Sequence, residues 1–271
     1  MSLTVTTWNI NSVRLRLRLV ARHLKETAPD VLCLQETKCP DDRFPFKAFH
    51  KLGYRHIAIA GQKGYHGVAI VSRLPFAETR AMNFCDKQDC RHVAVRLGPD
   101  AKHAADITLH NFYVPAGGDV PDPDVNPKFA HKLAFLDELT RWGVNDRPSA
   151  QPAILVGDLN VAPYENDVWS TKQLSRVVSH TPIERERLER FRGEADFIDA
   201  VRALKPEPER VFTWWSYRSP DWAVADKGRR LDHVWLSPSL KPHLGGATID
   251  KSARGWRRPS DHVPVTVTLN L

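Results

Sequence analysis

The chain has 271 residues, 42% hydrophobic and 26% charged, a composition that suits an ordinary globular protein with a sizeable buried core. Lys and Arg number 39 against 32 Asp and Glu, and the formal surplus of +7 suits a polyanionic partner without proving one. The cysteines at 33, 39, 85 and 90 form no CxxC pair and no zinc spacing. The first residues, MSLTVTTWNIN, lack the charged start and apolar run of a signal peptide, and no run reaches the length of a membrane span. The expectation is a cytoplasmic protein with free thiols and no membrane partner.

Short β-type runs recur along the chain. The first covers residues 3–8, and a helix follows with Ser12 as N-cap and Val13, Leu17, Val20 and Leu24 as its apolar stripe. Further strands are expected over 30–35, 56–60, 67–72, 92–97 and 106–114. The Pro/Asp-rich segment 117–127 reads as a long ordered loop leading into a helix over 128–142, with Phe129, Leu133 and Leu136 on one side. A strand over 153–157, a helix over 183–192 and strands over 211–215, 231–236 and 263–269 complete the pattern. No composition break splits the chain, so residues 1–271 are expected to form one domain of the α/β (α+β) class, a layered sandwich.

Several strands end on acids and amides. Asn9 and Asn11 follow the first, Glu36 the second, and Asp158 and Asn160 the strand over 153–157. Asp232 lies in a later strand, and Asp261-His262 precedes the last. Taken singly, such residues are turn-formers and strand caps. As a set they fit phosphodiester hydrolysis, which requires neutralised phosphoryl oxygens, a positioned water and a stabilised leaving group. Glu36 with Asn9 and Asn11 offers the oxygen ligands that a hard cation takes. Asp158 can deprotonate or orient the water with Asn160 beside it, and Asp232 can hold His262 as a cationic donor to the phosphate.

The stretches TTWNINSVR, PDVLCLQETK, GQKGYHGVAIVSR, NFYVPAGGD, LVGDLNVAP, FTWWSYRS, GRRLDHVWLS and PSDHVPV stand in this order between residues 6 and 265. With them the sequence resembles exonuclease III and its relatives, the abasic-site endonucleases of the endonuclease–exonuclease–phosphatase superfamily. The resemblance implies a four-layer α/β sandwich, two packed mixed β-sheets flanked by helices. It implies a monomeric, Mg2+-dependent DNA-repair nuclease, with Mn2+ as a substitute ion. Its substrate would be double-stranded DNA with abasic sites or blocked 3′ ends, cut 5′ to the abasic site or trimmed from the 3′ end by exonuclease and phosphatase action. Glu36 would be the main metal ligand, with Asn9 and Asp261 beside it. Tyr113 would stand near the scissile phosphate, Asp158 and Asn160 would handle the water and the phosphate, and Asp232 would pair with His262. Trp214, Leu231, Arg229 and Asn11 would contact the substrate. Two positions depart from the pattern: Asn11 stands where some members have an aspartate, and Arg229 where others carry a large apolar side chain.

Basic stretches at Arg14/Arg18/Arg22, at 227–230 and at Arg254-Gly255-Trp256-Arg257-Arg258 are either solvated faces and packed loops or phosphate contacts. Tyr65 and His66, bounded by Gly64 and Gly67, form either a DNA-facing loop or a hairpin tip. The competing readings are 3′-end trimming with little abasic-site activity, another phosphodiesterase of the same superfamily, and a catalytically dead DNA binder. The last predicts loss of at least one of Glu36, Asp158, Asn160, Asp232 and His262, and all are present.

Overall fold

A computed structural model of the chain describes residues 2–147 and 151–271. In chain order the first half contains β1 (Ser2–Asn9), α1 (Leu17–Thr27), β2 (Val31–Gln35), α2 (Phe46–Lys51), β3 (His56–Ala60), β4 (Val68–Ser72), β5 (Phe76–Arg80), β6 (His92–Leu97), β7 (Thr108–Tyr113) and α3 (Pro127–Asn145). There follow β8 (Ala153–Asp158), α4 (Thr171–Leu174), α5 (Pro182–Glu194), β9 (Ile198–Asp199), α6 (Ala200–Leu204), β10 (Trp214–Trp215), α7 (Trp222–Ala225), β11 (Gly228–Arg229), β12 (Asp232–Leu236), β13 (Leu244–Ile249) and β14 (Val265–Asn270). The strands form two six-stranded mixed sheets, in the orders β13-β14-β1-β2-β4-β3 and β5-β6-β7-β8-β12-β9, plus the β10-β11 ribbon. Each large sheet holds one parallel pair, β1 with β2 across α1 and β7 with β8 across α3.

Side-chain alternation builds the layers. On β2, Val31 and Cys33 face the second sheet, while Leu32 and Leu34 face the helical side. On β8, Ile154 and Val156 enter the inter-sheet core, and Leu155 packs outward with Phe135, Leu136 and Phe191 of α3 and α5. Both faces of each central strand are covered, so these strands read as continuous apolar runs. The result is the four-layer α/β sandwich. Buried amides join the sheets behind the strand ends: Gln35 Nε2 donates to Asn111 Oδ1 at 2.7 Å, and Asn111 Nδ2 to the carbonyls of Leu34 and Ala69 at 3.0 Å each.

Several local expectations are corrected. Ser12 does not cap α1, which begins at Leu17. Ser12 N donates to Glu36 O at 2.7 Å and Val13 N to Thr37 O at 3.1 Å, so long-range backbone bonds hold 11–16 as a turn before the helix starts. Only Trp214–Trp215 of the 211–215 run is strand. The strands β5, β9, β11 and β13 escape sequence reading, since β5 and β13 are exposed edge strands with weak patterning and β9 and β11 have two residues each. Asn126 caps α3, accepting from Lys128 N, and Thr181 with Glu184 forms a capping box on α5.

Two of the basic stretches contain structural arginines. Arg230 is fully buried, with Nε 2.7 Å from Asp167 Oδ1 and Nη1 2.6 Å from Asp199 Oδ2. Arg254 is buried and donates to the carbonyl of Trp215. Neither faces a ligand surface. Replacing Arg230 by Met takes the guanidinium from the buried Asp199 and leaves Asp167 with Arg202 alone, and should cost about 3 kcal/mol of stability, as urea unfolding would show. A loss near zero would mean that the acids find other partners. Arg14, Arg18, Arg257 and Arg258 are exposed, while Arg22 lies 4.3 Å over the Trp256 ring, which itself packs edge-on against Trp8.

Candidate active site

The end of β1 and the end of β2 are zipped together: Ile10 N donates to Gln35 O at 3.0 Å, ahead of the Ser12 and Val13 bonds. This zipper places Asn9 and Asn11 beside Glu36. Asn9 Nδ2 donates to Glu36 Oε1 at 3.0 Å and to Asp158 Oδ2 at 2.8 Å, linking the two sheets at their carboxyl ends. Tyr113 donates its hydroxyl to Glu36 Oε1 at 3.0 Å. Lys38 sets its ammonium 2.7 Å from Glu36 Oε2 and 2.7 Å from Asn11 Oδ1, and Asn11 Nδ2 reaches Asp261 Oδ1 at 3.2 Å. Burial raises the Glu36 carboxyl, but Lys38 and Asn9 outweigh it and hold the pKa below the usual carboxylate range. Asp261 is also lowered: burial opposes the shift, while His262, Trp214 and Asn11 favour the charged form. Burial, Glu36 and Asp158 push the Tyr113 phenol well up, so it acts as a hydrogen donor.

The second half of the site starts from β8. Gly157, at φ +145°, has no room for a side chain because a Cβ would stand 1.9 Å from Phe112 O. Asp158 therefore emerges close against β7, with its carbonyl accepting from Val114 N at 3.0 Å. Asn160 is left-handed (φ 54°), and so is Glu36 (φ 49°), both non-glycine residues held in uncommon backbone at the ends of central strands. Asn160 N donates to Asp158 Oδ1 at 3.0 Å, and its side-chain amide to Val114 O at 2.9 Å and Asp158 Oδ2 at 3.2 Å. Asp232 sits opposite Asp158 in the β8–β12 pair and holds His262 Nδ1 at 2.8 Å. The other ring nitrogen, Nε2, is 3.7 Å from Asp158 Oδ2. Burial lowers His262, but Asp232, Asp158 and Asp261 overcome it and lift the imidazole to about 10. Burial raises Asp158 to about 7, with His262 opposing and Asp232 reinforcing the rise. The triad Asp158–Asp232–His262 thus joins a cation to a carboxylate poised near neutrality, which is acid–base chemistry.

Two groupings could attract a metal ion. Asp158, Asp232 and His262 offer ligand atoms within 4.8 Å of one another, but a protonated imidazole is a poor ligand. Glu36 and Asp261 are anionic oxygen donors, which suit a hard divalent cation better, while Asn9 Oδ1 accepts from Asn11 N and Asn11 Oδ1 from Lys38 Nζ, so those amide oxygens would have to turn to reach an ion. The cleft in front of these residues has a volume of about 830 Å³. Its walls include Trp214, Leu231 and Arg229. Trp214 Nε1 donates to Asp261 Oδ2 at 3.0 Å. Arg229 lies 5.2 Å over the Trp214 ring and donates through Nη1 to Val178 O at 3.0 Å and Ser179 Oγ at 2.7 Å.

Every site residue singled out in the sequence meets at this one cleft or within a hydrogen bond of it. Sequence reading assigned no role to Lys38, although it belongs to the QETK stretch, nor to Thr213, whose hydroxyl donates to Asp232 Oδ2 at 2.6 Å. It also missed Arg91, which lies 5.0 Å over the Tyr113 ring and donates to His66 Nε2 at 2.9 Å. His66 thereby connects the active-site wall to the exposed Tyr65 loop.

Comparison with known proteins agrees with the geometry. The model of the Endonuclease/Exonuclease/phosphatase family matches residues 6–262. Exodeoxyribonuclease III of Haemophilus influenzae is 28% identical over 95% of this chain and 96% of its own length. An AP endonuclease from Archaeoglobus fulgidus superposes with a TM-score of 0.89 at 30% identity, covering 99% of this chain and 100% of that one. The 3′ phosphatase NExo from Neisseria, solved with a product DNA hairpin, gives 0.89 and 30% over the same shares. With its two mixed sheets and the acid–imidazole cluster at their common edge, the chain belongs to the endonuclease/exonuclease/phosphatase family.

Proposed function

We propose that the chain is a DNA-repair nuclease that hydrolyses the phosphodiester 5′ to an abasic site, leaving a 3′-hydroxyl, and that it also trims 3′ ends as exonuclease and phosphatase. One observation carries this reading: the Asp158–His262–Asp232 arrangement faces the anionic oxygen set of Glu36 and Asp261 across a single cleft. The cleft draws on both sheets, which supports one functional domain. Asp158 takes the proton of the attacking water, and Asn160 and Asn9 orient its carboxylate. His262, kept cationic by Asp232, donates Nε2–H to a phosphoryl oxygen. Tyr113 stands over Glu36 on the same wall. Glu36, Asp261, Asn9 and Asn11 would hold Mg2+ or Mn2+. Such an ion, when bound, supplies charge neutralisation at the phosphate and the leaving oxygen. Displacement is a single in-line step without a covalent enzyme intermediate.

A second reading, 3′-end processing with little abasic cleavage, is favoured by Arg229. Its guanidinium is tied into the pocket wall by two hydrogen bonds and leaves Nε buried without a partner. A fixed cation there suits a phosphate-bearing 3′ end better than a base-less sugar. The test uses two labelled duplexes, one with an abasic site and one ending in a 3′-phosphate, each with Mg2+ and with EDTA. Metal-dependent cutting of the first is expected, and inertness of both duplexes with every divalent metal would overturn the proposal. Arg229→Leu should raise the abasic-to-phosphatase ratio by about tenfold, the scale of one charge-assisted hydrogen bond. An unchanged ratio would remove Arg229 as a determinant.

A further inference from the structure

Lys132 is fully buried, yet its place on α3 is in phase with the apolar stripe of Phe129, Leu133 and Leu136. An ammonium in such a position is expensive unless several groups receive it. Its Nζ donates to Asn160 O at 2.7 Å, to Ala116 O at 3.3 Å and to the buried Glu184 carboxylate. Glu184 in turn accepts from Ser179 N at 2.9 Å and from Thr181 N at 3.1 Å. Ser179 Oγ, with Val178 O, accepts the hydrogen bonds that hold Arg229. Gly117, at φ +90°, passes so close that a Cβ would stand 2.9 Å from the lysine Cδ. One buried ion pair therefore gathers the Asn160 turn, the loop after β7 and the Val178–Thr181 segment, three walls of the cleft.

We propose that Lys132, paired with Glu184, is a positioning residue that fixes the Asn160 turn against the pocket wall carrying Arg229. The inference rests on the hydrolytic reading of the cleft given above. Lys132 touches no reacting atom. It fixes the carbonyl of Asn160, whose amide groups orient the Asp158 carboxylate. A turn released from this hold loses alignment rather than substrate affinity.

A merely structural ion pair and a positioning one differ in a double variant. Lys132→Met alone strands the Glu184 charge and should lower Tm by on the order of 10 °C. Lys132→Met/Glu184→Gln removes both charges, keeps the volume and leaves an acceptor for Ser179 N and Thr181 N, so Tm should return to near the parent value. Its kcat on the 3′-phosphate duplex should stay about 10- to 100-fold low, with KM within about threefold of the parent. Gly117→Ala, which crowds the lysine stem and the Val178 side chain without touching the lysine charge, should give the same kcat-only loss at smaller size. The proposal is overturned if kcat recovers with Tm in the double variant, or if the loss in either variant lies in KM. Should the double variant fail to fold, Gly117→Ala decides alone by the same split. A parent protein inert on the duplex would instead overturn the hydrolytic reading, so the two failures are distinguishable.

Discussion

Asp158→Asn is expected to lower kcat roughly a thousandfold while leaving DNA affinity within a few-fold of the parent. The amide keeps the volume and can still accept from Asn160 N, so the turn stays in place. It removes the charge that would take a proton from water on the proposed mechanism, and it also removes the acceptor best placed to meet Asn9 Nδ2 and the His262 imidazole. Single-turnover cleavage and equilibrium binding on the same duplex separate these effects. A variant with more than about a tenth of parental kcat would assign proton removal to another group.

The pH dependence should be bell-shaped. On the proposed mechanism the base form of Asp158 acts, and with its carboxyl raised to about 7 by burial, kcat/KM should rise with pH up to that region. The same mechanism uses the acid form of His262, and with its imidazole lifted to about 10 the rate should fall only as pH passes through that value. A divalent cation beside Glu36 would stabilise the charged carboxylate and move the acid limb to lower pH. Asp232→Asn removes the nearest anion from His262. Its alkaline limb should move several pH units toward neutrality, and the rate near pH 8 should drop by about 10²-fold, the scale of losing one preorganised donor. An alkaline limb that stays near pH 10 in this variant would mean that a different group titrates there, and His262 would lose its assigned role.

The residues that meet at the cleft were legible because each lies within a strand-end motif that shows in sequence. The apolar runs before Glu36 and Asp158 mark buried strands, and an acid after such a run stands at the sheet edge wherever the strand ends. The interleaving of helices with paired strands likewise marks a layered α/β architecture. Other features needed the tertiary structure. The true start of α1 depends on backbone bonds from Ser12 and Val13 to the β2 end, partners more than 20 residues away, so its N-cap cannot be read from local propensity. The basic runs could not be sorted by composition, since Arg230 spends its charge on Asp167 and Asp199 while Arg257 and Arg258 remain in solvent.

Lys132 did leave a signal, a cation in phase with an apolar stripe. Its partners, however, lie 16, 28 and 52 positions away, and only folding shows which they are. By itself the sequence determined the class of fold and the identity of the acids, amides and histidine at the cleft, because strand periodicity and motif order are local properties. Tertiary structure decided which cations face solvent, what fills the pocket beside Trp214 and which pKa values are shifted. Burial and pairing set those properties, and both depend on neighbours brought together from distant parts of the chain.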